Sequence, residues 1–268
     1  LRIQKVSCVG RCDKAPVVVY GQNPIEEASV GKIKKSIRSN SIAPDLPKPL
    51  SFENYCNNNG YLIYKDCLEG LRPVEKIIES LAKSNLRGLG GAGFPLAKKW
   101  EIVRRQAEPR ILVVNIDEGE PGTFKDRFFL EKNPHKFLEG MLIAAWAISA
   151  KTCYIYLRDE YAGCRLSLQH EINLLVNNNK FFVPKIELRR GAGAYICGEE
   201  SALLESLEGK RGMPRHRPPY IAEKGLFGKP TLAHNMETLY WIPEIIEKSA
   251  RWFASQGKRG RTGLRCYS

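Results

Sequence analysis

The sequence lacks long apolar runs, a secretory signal pattern and closely paired histidines. Its most apolar run, Phe137–Ser149, is too short to cross a bilayer and contains Glu139, so it predicts a buried helix instead of a membrane span. No secretory signal pattern is evident. The four histidines do not pair at the spacing of helical metal ligands, and no Ser-His-Asp arrangement is indicated. These shortages argue against a membrane protein, a histidine metal site and a triad hydrolase.

Closely spaced cysteines are also scarce. Of the eight cysteines, only Cys8 and Cys12 lie near each other, with Gly10 between them to supply a bend. Two thiolates are half of a four-ligand metal or cluster set. Two thiols on a surface turn are an equally good interpretation of the spacing. We expect the chain, which begins at Leu1, to be a fragment, so further ligands could precede it.

The charge balance is strongly basic. The net charge is +13, with local runs at Lys32–Arg38 and Lys258–Arg265. Such a chain could bind nucleic acid, but no aromatic-interleaved pattern accompanies the basic residues. We therefore favour solvated basic faces together with anionic ligands.

The most distinctive stretch is the glycine-rich segment Arg87–Lys99. Glycines 88, 90, 91 and 93 precede Phe94, Pro95 and a helix-like run that ends in Lys99. Glycine lets the backbone approach a ligand closely, and successive N–H groups can bind an anion. The segment matches neither standard phosphate motif. It predicts a phosphate or pyrophosphate site, and a flexible connecting loop is the alternative.

Strands and helices alternate through the middle of the chain, which predicts an α/β fold. The sheet would be parallel and Rossmann-like, with helices on both faces. We expect strands at Ile111–Ile116, Thr152–Leu157 and Val183–Leu188 and helices at Pro134–Ser149, Tyr161–Val176 and Glu199–Leu207.

The flanking regions are less regular. Residues 1–20 predict strand, loop and strand, followed by a helix over Ile25–Ser39. The proline-rich stretch 42–50 predicts a linker, with a domain boundary near residue 45. We expect residues 52–67 to be irregular, 208–235 to be loop-rich, and one helix to run from Asn235 to Phe253.

Polar loops follow the predicted strands, and the carboxyl ends of parallel strands meet at one edge of a sheet. Residues 115–123 read NIDEGEPGT and hold three carboxylates, which suit ribose hydroxyls or a polar ring edge better than phosphate. A divalent cation or a solvated turn is the alternative. Glu199 and Glu200 fall in the first turn of a helix, where the dipole alone explains one of them.

Four motifs in order carry a family resemblance: GLGGAGFP, NIDEGEPGT, GAGAYICGEESALLESLEG and PTLAHNMETL. Over residues 70–268 the chain resembles the NADH-binding flavoprotein subunit of respiratory complex I. The same module occurs in NAD-reducing hydrogenases and soluble NAD-dependent formate dehydrogenases. Upstream, CVGRCDKAPVVVYGQNP resembles the C-terminal part of a thioredoxin-like 2Fe–2S ferredoxin domain, a fusion similar to the beta subunit of formate dehydrogenases. The resemblance implies a partial ferredoxin domain with linker over 1–45 and a flavoprotein domain over 46–268.

The resemblance also implies a chemistry. FMN would take a hydride from NADH and pass single electrons to iron–sulfur clusters. The implied FMN contacts are Gly88, Asn115, Asp117, Glu118, Tyr195, Gly198, Glu199, Asn235 and Thr238, within a cofactor-binding set that includes Gly90, Gly91 and Gly93. The implied NADH contacts are Phe94, Lys99, Glu120 and Glu200, and the implied cluster ligands are Cys8 and Cys12.

The sequence departs from the family pattern in three places. His234 stands where the family usually has Asn. The cysteine-rich C-terminal domain that holds a 4Fe–4S cluster is absent from the 268 residues, and so is the first cysteine pair of the ferredoxin domain. We expect a cytoplasmic chain that works with iron–sulfur and catalytic partner subunits. A non-catalytic assembly fragment with a vestigial site is the alternative.

Overall fold

The computed structural model describes residues 2–267. Its strands are β1 (Val18–Tyr20), β2 (Asn23–Ile25), β3 (Ile111–Ile116), β4 (Thr152–Leu157), β5 (Lys185–Arg190) and β6 (Thr231–Asn235). Its α-helices are α1 (Val30–Arg38), α2 (Phe52–Asn57), α3 (Leu62–Leu68), α4 (Val74–Lys83), α5 (Leu96–Arg104), α6 (Lys125–Lys132), α7 (Pro134–Ala147), α8 (Ala162–Val176), α9 (Glu200–Leu207), α10 (Met236–Tyr240), α11 (Ile242–Lys248) and α12 (Ala250–Ser255).

Four strands form a parallel sheet in the order β5-β4-β3-β6, which confirms the predicted α/β class. Asn115, near the end of the central strand β3, lies opposite Tyr156 on β4 and Asn235 on β6. The polar loops that follow these strands therefore share one edge. The edge strand β6 was missed, because its five residues lie in a stretch that we expected to be loop-rich.

Each face of the sheet has its own core. Leu112 and Val114 point into the larger core, where helices α5, α7, α8 and α10 pack. Ile111 and Val113 point into a smaller core under α9. Strands covered on both faces are continuously apolar, as observed for the first four residues of β3. The prediction of helices on both faces is confirmed, with most of them on one side.

The N-terminal region differs from the sequence-based expectation. Residues 2–7 form no strand, whereas β1 and β2 pair as an antiparallel hairpin. Helix α1 begins at Val30 because the Ser29 hydroxyl accepts the Lys32 N–H at 3.3 Å.

The segment expected to be irregular at residues 52–67 holds two helices, α2 and α3. Ser51 caps α2, and Tyr61 and Tyr64 are buried against the large core. The helices were missed because a run of three asparagines separates them.

The single helix expected over residues 235–253 is three short helices. Pro243 lies in the first turn of α11, and Ser249, with a φ of 94°, separates α11 from α12. The segment after α12, residues 256–267, has no regular structure. Its Thr262 hydroxyl accepts from Asn85 at 3.2 Å. No helix within residues 2–267 is long and apolar enough to span a bilayer.

Candidate cofactor site at the carboxyl edge of the sheet

A cavity of about 360 Å³ opens at the carboxyl edge of the sheet. Its walls come from the glycine-rich loop, the loop after β3, the 3-10 turn Tyr195–Gly198 and the end of β6. The predicted cofactor residues that line it are Gly90, Asn115, Asp117, Glu118, Glu120, Tyr195, Gly198, Glu199 and Asn235. The structure thus brings together residues from four separate motifs.

The glycine-rich loop folds over this edge. The Leu89 N–H donates to the buried Thr238 hydroxyl at 2.9 Å, which ties the loop to α10. A Cβ on Gly90 would lie 2.9 Å from Cβ of Asn235, closer than side-chain atoms pack. Glycine is needed here because the loop backbone approaches β6 so closely. Thr238 itself acts as this anchor and does not line the cavity.

The adjacent carboxyls Asp117 and Glu118 are both buried, but their surroundings differ. Glu118 accepts from the Asp126 N–H at 3.0 Å and from the Tyr161 hydroxyl at 2.9 Å, so it caps the start of α6. Burial, with repulsion from Asp126, raises the pKa of Glu118 to about 7.

Asp117, in contrast, has an uncommitted oxygen. Its Oδ2 is buried without a hydrogen-bond partner among the described residues. Burial raises the pKa of Asp117 to about 7, against the opposing pull of Arg158. An unsatisfied buried oxygen in a cavity wall calls for a donor from outside the chain.

Glu199 and Glu200 also have separate roles. Glu199 is the N-cap of α9, and its Oε2 accepts from the Ser201 and Ala202 N–H groups at 2.9 Å each. Glu200 lies beside the cavity, and its Oε2 accepts from Lys99 Nζ at 2.8 Å. Lys99 also donates to the Ala233 carbonyl at 2.8 Å. Capping of α9 thus explains the position of Glu199, whereas Glu200 does not cap the helix and pairs with Lys99 instead.

Two exposed aromatic side chains, Tyr195 and Phe94, belong to the loops around the site. Tyr195 is 64% exposed and its hydroxyl donates to Glu120. Phe94 is 42% exposed and lies outside the lining residues. Exposed aromatic faces next to a polar cavity are suited to stacking on a planar ring.

Two asparagines connect the strand ends to the cavity walls. Asn115 Nδ2 donates to the Gly198 carbonyl at 2.9 Å, and its Oδ1 accepts from the Asp117 N–H at 2.9 Å. Asn235 caps α10 by accepting from the Glu237 N–H at 3.1 Å.

Some lining residues were not predicted, and the remaining predicted ones lie outside the lining. The unpredicted ones are Leu89, Gly119, Thr123, Lys125, Asp126 and Ile196. Leu89, Gly119, Thr123 and Ile196 lie inside the quoted motifs, so taking every motif position as a candidate would have found them. Lys125 and Asp126 follow the NIDEGEPGT motif within three residues, so extending that motif was the available signal. The predicted residues outside the lining are Gly88, Gly91, Gly93, Phe94, Lys99, Glu200 and Thr238.

The two N-terminal cysteines face each other beside this site. Their Sγ atoms are 3.3 Å apart, and Cys12 Sγ accepts from the Gly122 N–H at 3.2 Å. Arg158 donates both to the Cys8 carbonyl, at 2.8 Å, and to the Glu118 carbonyl. The cysteine loop therefore rests directly on the loop that lines the cavity. Within residues 2–267, no group of three or more potential metal ligands is assembled.

A parallel sheet whose glycine-rich and acidic loops enclose a cavity at its carboxyl edge defines an α/β cofactor-binding protein. Residues 81–244 match the model of the Nuo51 FMN-binding domain family. The chain belongs to this family, the complex I 51 kDa-type flavoprotein family, as its four motifs indicated.

Individual relatives agree with this assignment. The chain is 43% identical over 235 residues to an NADH-quinone oxidoreductase subunit of Rhizobium meliloti, covering 83% of this chain and 55% of that protein. It is 46% identical over 211 residues to an NADH-quinone oxidoreductase subunit of Aquifex aeolicus, covering 75% and 48%. The chain spans about half the length of the curated relatives it matches.

A solved structure gives the same result. An NAD+-reducing [NiFe]-hydrogenase in the air-oxidized state superimposes with a TM-score of 0.81 and 34% identity. The match covers 96% of this chain and 47% of the hydrogenase chain.

Proposed function

We propose that the chain is the FMN- and NADH-binding part of an NAD-linked oxidoreductase subunit. The observation that carries the proposal is the buried, unpartnered Oδ2 of Asp117 in a cavity under a glycine-rich loop. A flavin ring presents N–H and carbonyl groups along one edge, which such an oxygen and the nearby backbone can satisfy. The residues present therefore fit FMN.

The proposed FMN site divides its residues into two groups. Gly90 keeps the loop backbone close to the ligand, Gly88, Gly91 and Gly93 shape the rest of the loop, and Asn115, Asp117, Tyr195 and Gly198 face the ligand. Glu118, Glu199, Asn235 and Thr238 already have hydrogen-bond partners within the chain, so their part is to hold the cavity walls. FMN, when bound, supplies the hydride-accepting centre.

The proposed NADH site adjoins the flavin cavity, because Glu120 lines that cavity whereas Phe94, Lys99 and Glu200 lie outside its lining. Phe94 offers a ring for adenine stacking, and Lys99 offers a positive charge for the pyrophosphate. Glu120 and Glu200 offer carboxylates for ribose hydroxyls or the carboxamide. Because Lys99 and Glu200 pair with each other, a dinucleotide must exchange this ion pair for its own contacts.

Electron transfer onward belongs to the same proposal. Cys8 and Cys12 supply two thiols of the four that a 2Fe–2S cluster takes, so residues 2–267 do not complete a cluster. A 4Fe–4S cluster would lie in a further part of the protein. We propose a cytoplasmic location, iron–sulfur and catalytic subunits as partners, and formate, hydrogen or quinone as the terminal substrate class. A partial ferredoxin domain over 1–45 and a flavoprotein domain over 46–268 complete the proposal.

A visible absorption spectrum tests the flavin site. The purified chain is mixed with FMN under anaerobic conditions, separated from free flavin and then treated with NADH. Bound flavin that loses its absorbance on NADH addition supports the proposal. Well-folded protein that retains no flavin contradicts it and indicates a non-catalytic assembly fragment.

Substitution separates the NADH residues from the flavin residues. Glu120→Gln and Glu200→Gln are expected to slow bleaching by NADH while FMN stays bound. The exposed Glu223→Gln is the matched control, because it makes the same change away from the cavity. Unchanged NADH oxidation in both variants would contradict the assignment of these two carboxylates.

A further inference from the structure

Lys125, Asp126 and Asn235 form a closed ring of side chains on the cavity wall. Lys125 Nζ donates to Asp126 Oδ1 at 2.6 Å and to Asn235 Oδ1 at 3.0 Å. Asn235 Nδ2 donates to Asp126 Oδ2 at 2.7 Å and so closes the ring. The ring joins the start of α6 to the end of β6, and all three residues line the cavity.

The ring uses up the hydrogen-bonding capacity of Asn235. Its Oδ1 also accepts from the Glu237 N–H at 3.1 Å, and its Nδ2 also donates to the Asn115 carbonyl at 3.3 Å. A side-chain amide has two donor and two acceptor positions, and all four are occupied. The side chain of Asn235 therefore has no hydrogen bond left for a ligand, and Lys125 and Asp126 fix its orientation.

The ring also contains the cation of the cavity. Lys125 is the one Lys or Arg among the described lining residues. The lining carboxylates are Asp117, Glu118, Glu120, Asp126 and Glu199. Burial pulls the pKa of Lys125 down, but Asp126 and Glu237 raise it above its ordinary value, so Lys125 stays charged. Glu237 Oε2 is 3.2 Å from Nζ, although outside hydrogen-bond geometry.

We propose that Lys125 and Asp126 position Asn235 and tune the redox balance of the flavin, an inference that rests on the proposed FMN site. Reduction adds negative charge to the bound group. A fixed cation nearby favours the reduced form, whereas a fixed carboxylate disfavours it, and both effects are strong in a buried site. Lys125 and Asp126 carry opposite charges, so their effects on the reduction of the flavin oppose each other.

The experiment measures the midpoint potential of bound FMN by spectral titration against a reference dye. Lys125→Met should lower the midpoint and Asp126→Asn should raise it. Each is expected to change the ratio of affinities for reduced and oxidised FMN by roughly tenfold, which corresponds to about 30 mV. Lys132→Met, an exposed position on the same helix, is the matched control and should leave the midpoint unchanged. Melting temperatures are recorded for every variant.

Midpoint shifts of opposite sign in Lys125→Met and Asp126→Asn would support redox tuning. A merely structural role would lower the melting temperature of both variants without shifting their midpoints in opposite directions. If Lys125→Met fails to fold, the double variant Lys125→Met with Glu237→Gln removes the two buried charges together. The midpoint potential of FMN bound to this double variant should lie below that of FMN bound to Glu237→Gln alone. Shifts of the same sign, or no shift in flavin-bound variants, overturn the inference. Wild-type protein that binds no flavin overturns the proposed function instead.

Discussion

The indole N–H of Trp100 donates a hydrogen bond to Nε2 of His234 at 3.0 Å, and both rings are buried on the helical side of the sheet. His234 therefore points away from the cavity, toward α5. Burial, with repulsion from Lys99, holds the pKa of His234 well below its ordinary value, so the ring is neutral and can accept this bond. His234 is accordingly not among the residues that line the cavity.

Removing this ring should affect stability and spare the ligand site. His234→Ala leaves the Trp100 N–H without a partner and opens a void, which should cost about 2–4 kcal/mol of unfolding free energy. Chemical denaturation measures the loss, and the FMN dissociation constant should stay within a factor of three. The exposed His170→Ala is the control. A large loss of FMN affinity in folded His234→Ala would contradict this placement.

The Lys99–Glu200 pair allows a test by charge reversal. Lys99→Glu places two carboxylates together, and adding Glu200→Lys restores the ion pair with its direction reversed. We expect the double variant to regain most of the lost melting temperature. Its use of NADH should stay at least tenfold weaker, because a carboxylate now faces the proposed pyrophosphate position. Recovery of NADH-dependent bleaching in the double variant would show that the pair is only structural.

Asp117 predicts a pH dependence of the ligand-free chain. Its folded pKa is raised to about 7, so the unfolded chain releases this proton first as the pH rises from about 4. The contribution of Asp117 to stability therefore falls between pH 4 and 7. Between pH 5 and pH 8, the wild type should lose about 2 kcal/mol more unfolding free energy than Asp117→Asn.

Urea titrations of both proteins at the two pH values measure this difference. Glu118 titrates in the same range but is present in both proteins, so its effect cancels. The exposed Asp45→Asn serves as the control and should follow the wild type. Parallel pH profiles for the wild type and Asp117→Asn would contradict the assignment.

Two glycines of one loop should respond differently to alanine. A Cβ on Gly90 would lie 2.9 Å from Cβ of Asn235, whereas a Cβ on Gly88 would have ordinary contacts, the nearest at 3.7 Å from the Phe94 carbonyl oxygen. We expect Gly90→Ala to weaken FMN binding at least tenfold by lifting the loop, and Gly88→Ala to change it little. Equilibrium dialysis with FMN measures both. Equal effects would indicate that flexibility, and not close approach, is what the loop needs.

The sequence was most informative where the chain is regular and buried. The strands Ile111–Ile116 and Thr152–Leu157 were predicted with their observed bounds, because an apolar run between polar loops leaves few alternatives. The convergence of the polar loops followed from parallel topology alone. The edge strand β6 could not be predicted, because its short mixed sequence is specified by pairing with β3 and not by its own pattern.

The site shows the same limit at the level of single side chains. Motifs indicated that Asp117, Glu118, Glu199 and Glu200 gather at one edge, but sequence cannot assign partners to neighbouring carboxylates. The partners of Glu118 and Glu199 are backbone N–H groups of helices that begin nearby, which only the packing reveals. Asp126 was missed for the same reason, since its role depends on contact with Asn235, 109 residues later.

The contact of Arg158 with both the Cys8 and Glu118 carbonyls has a consequence for how the chain can be cut. Arg127 adds a second attachment, to the Gly10 carbonyl at 3.0 Å. A protease that nicks the proline-rich linker at residues 42–50 would sever the peptide but leave these buried contacts in place. The two pieces should then co-elute as a complex and, if produced separately, reassemble by fragment complementation. Cutting the peptide at the linker therefore does not by itself separate the two pieces, because hydrogen bonds of the N-terminal loop to Arg127 and Arg158 still hold them together.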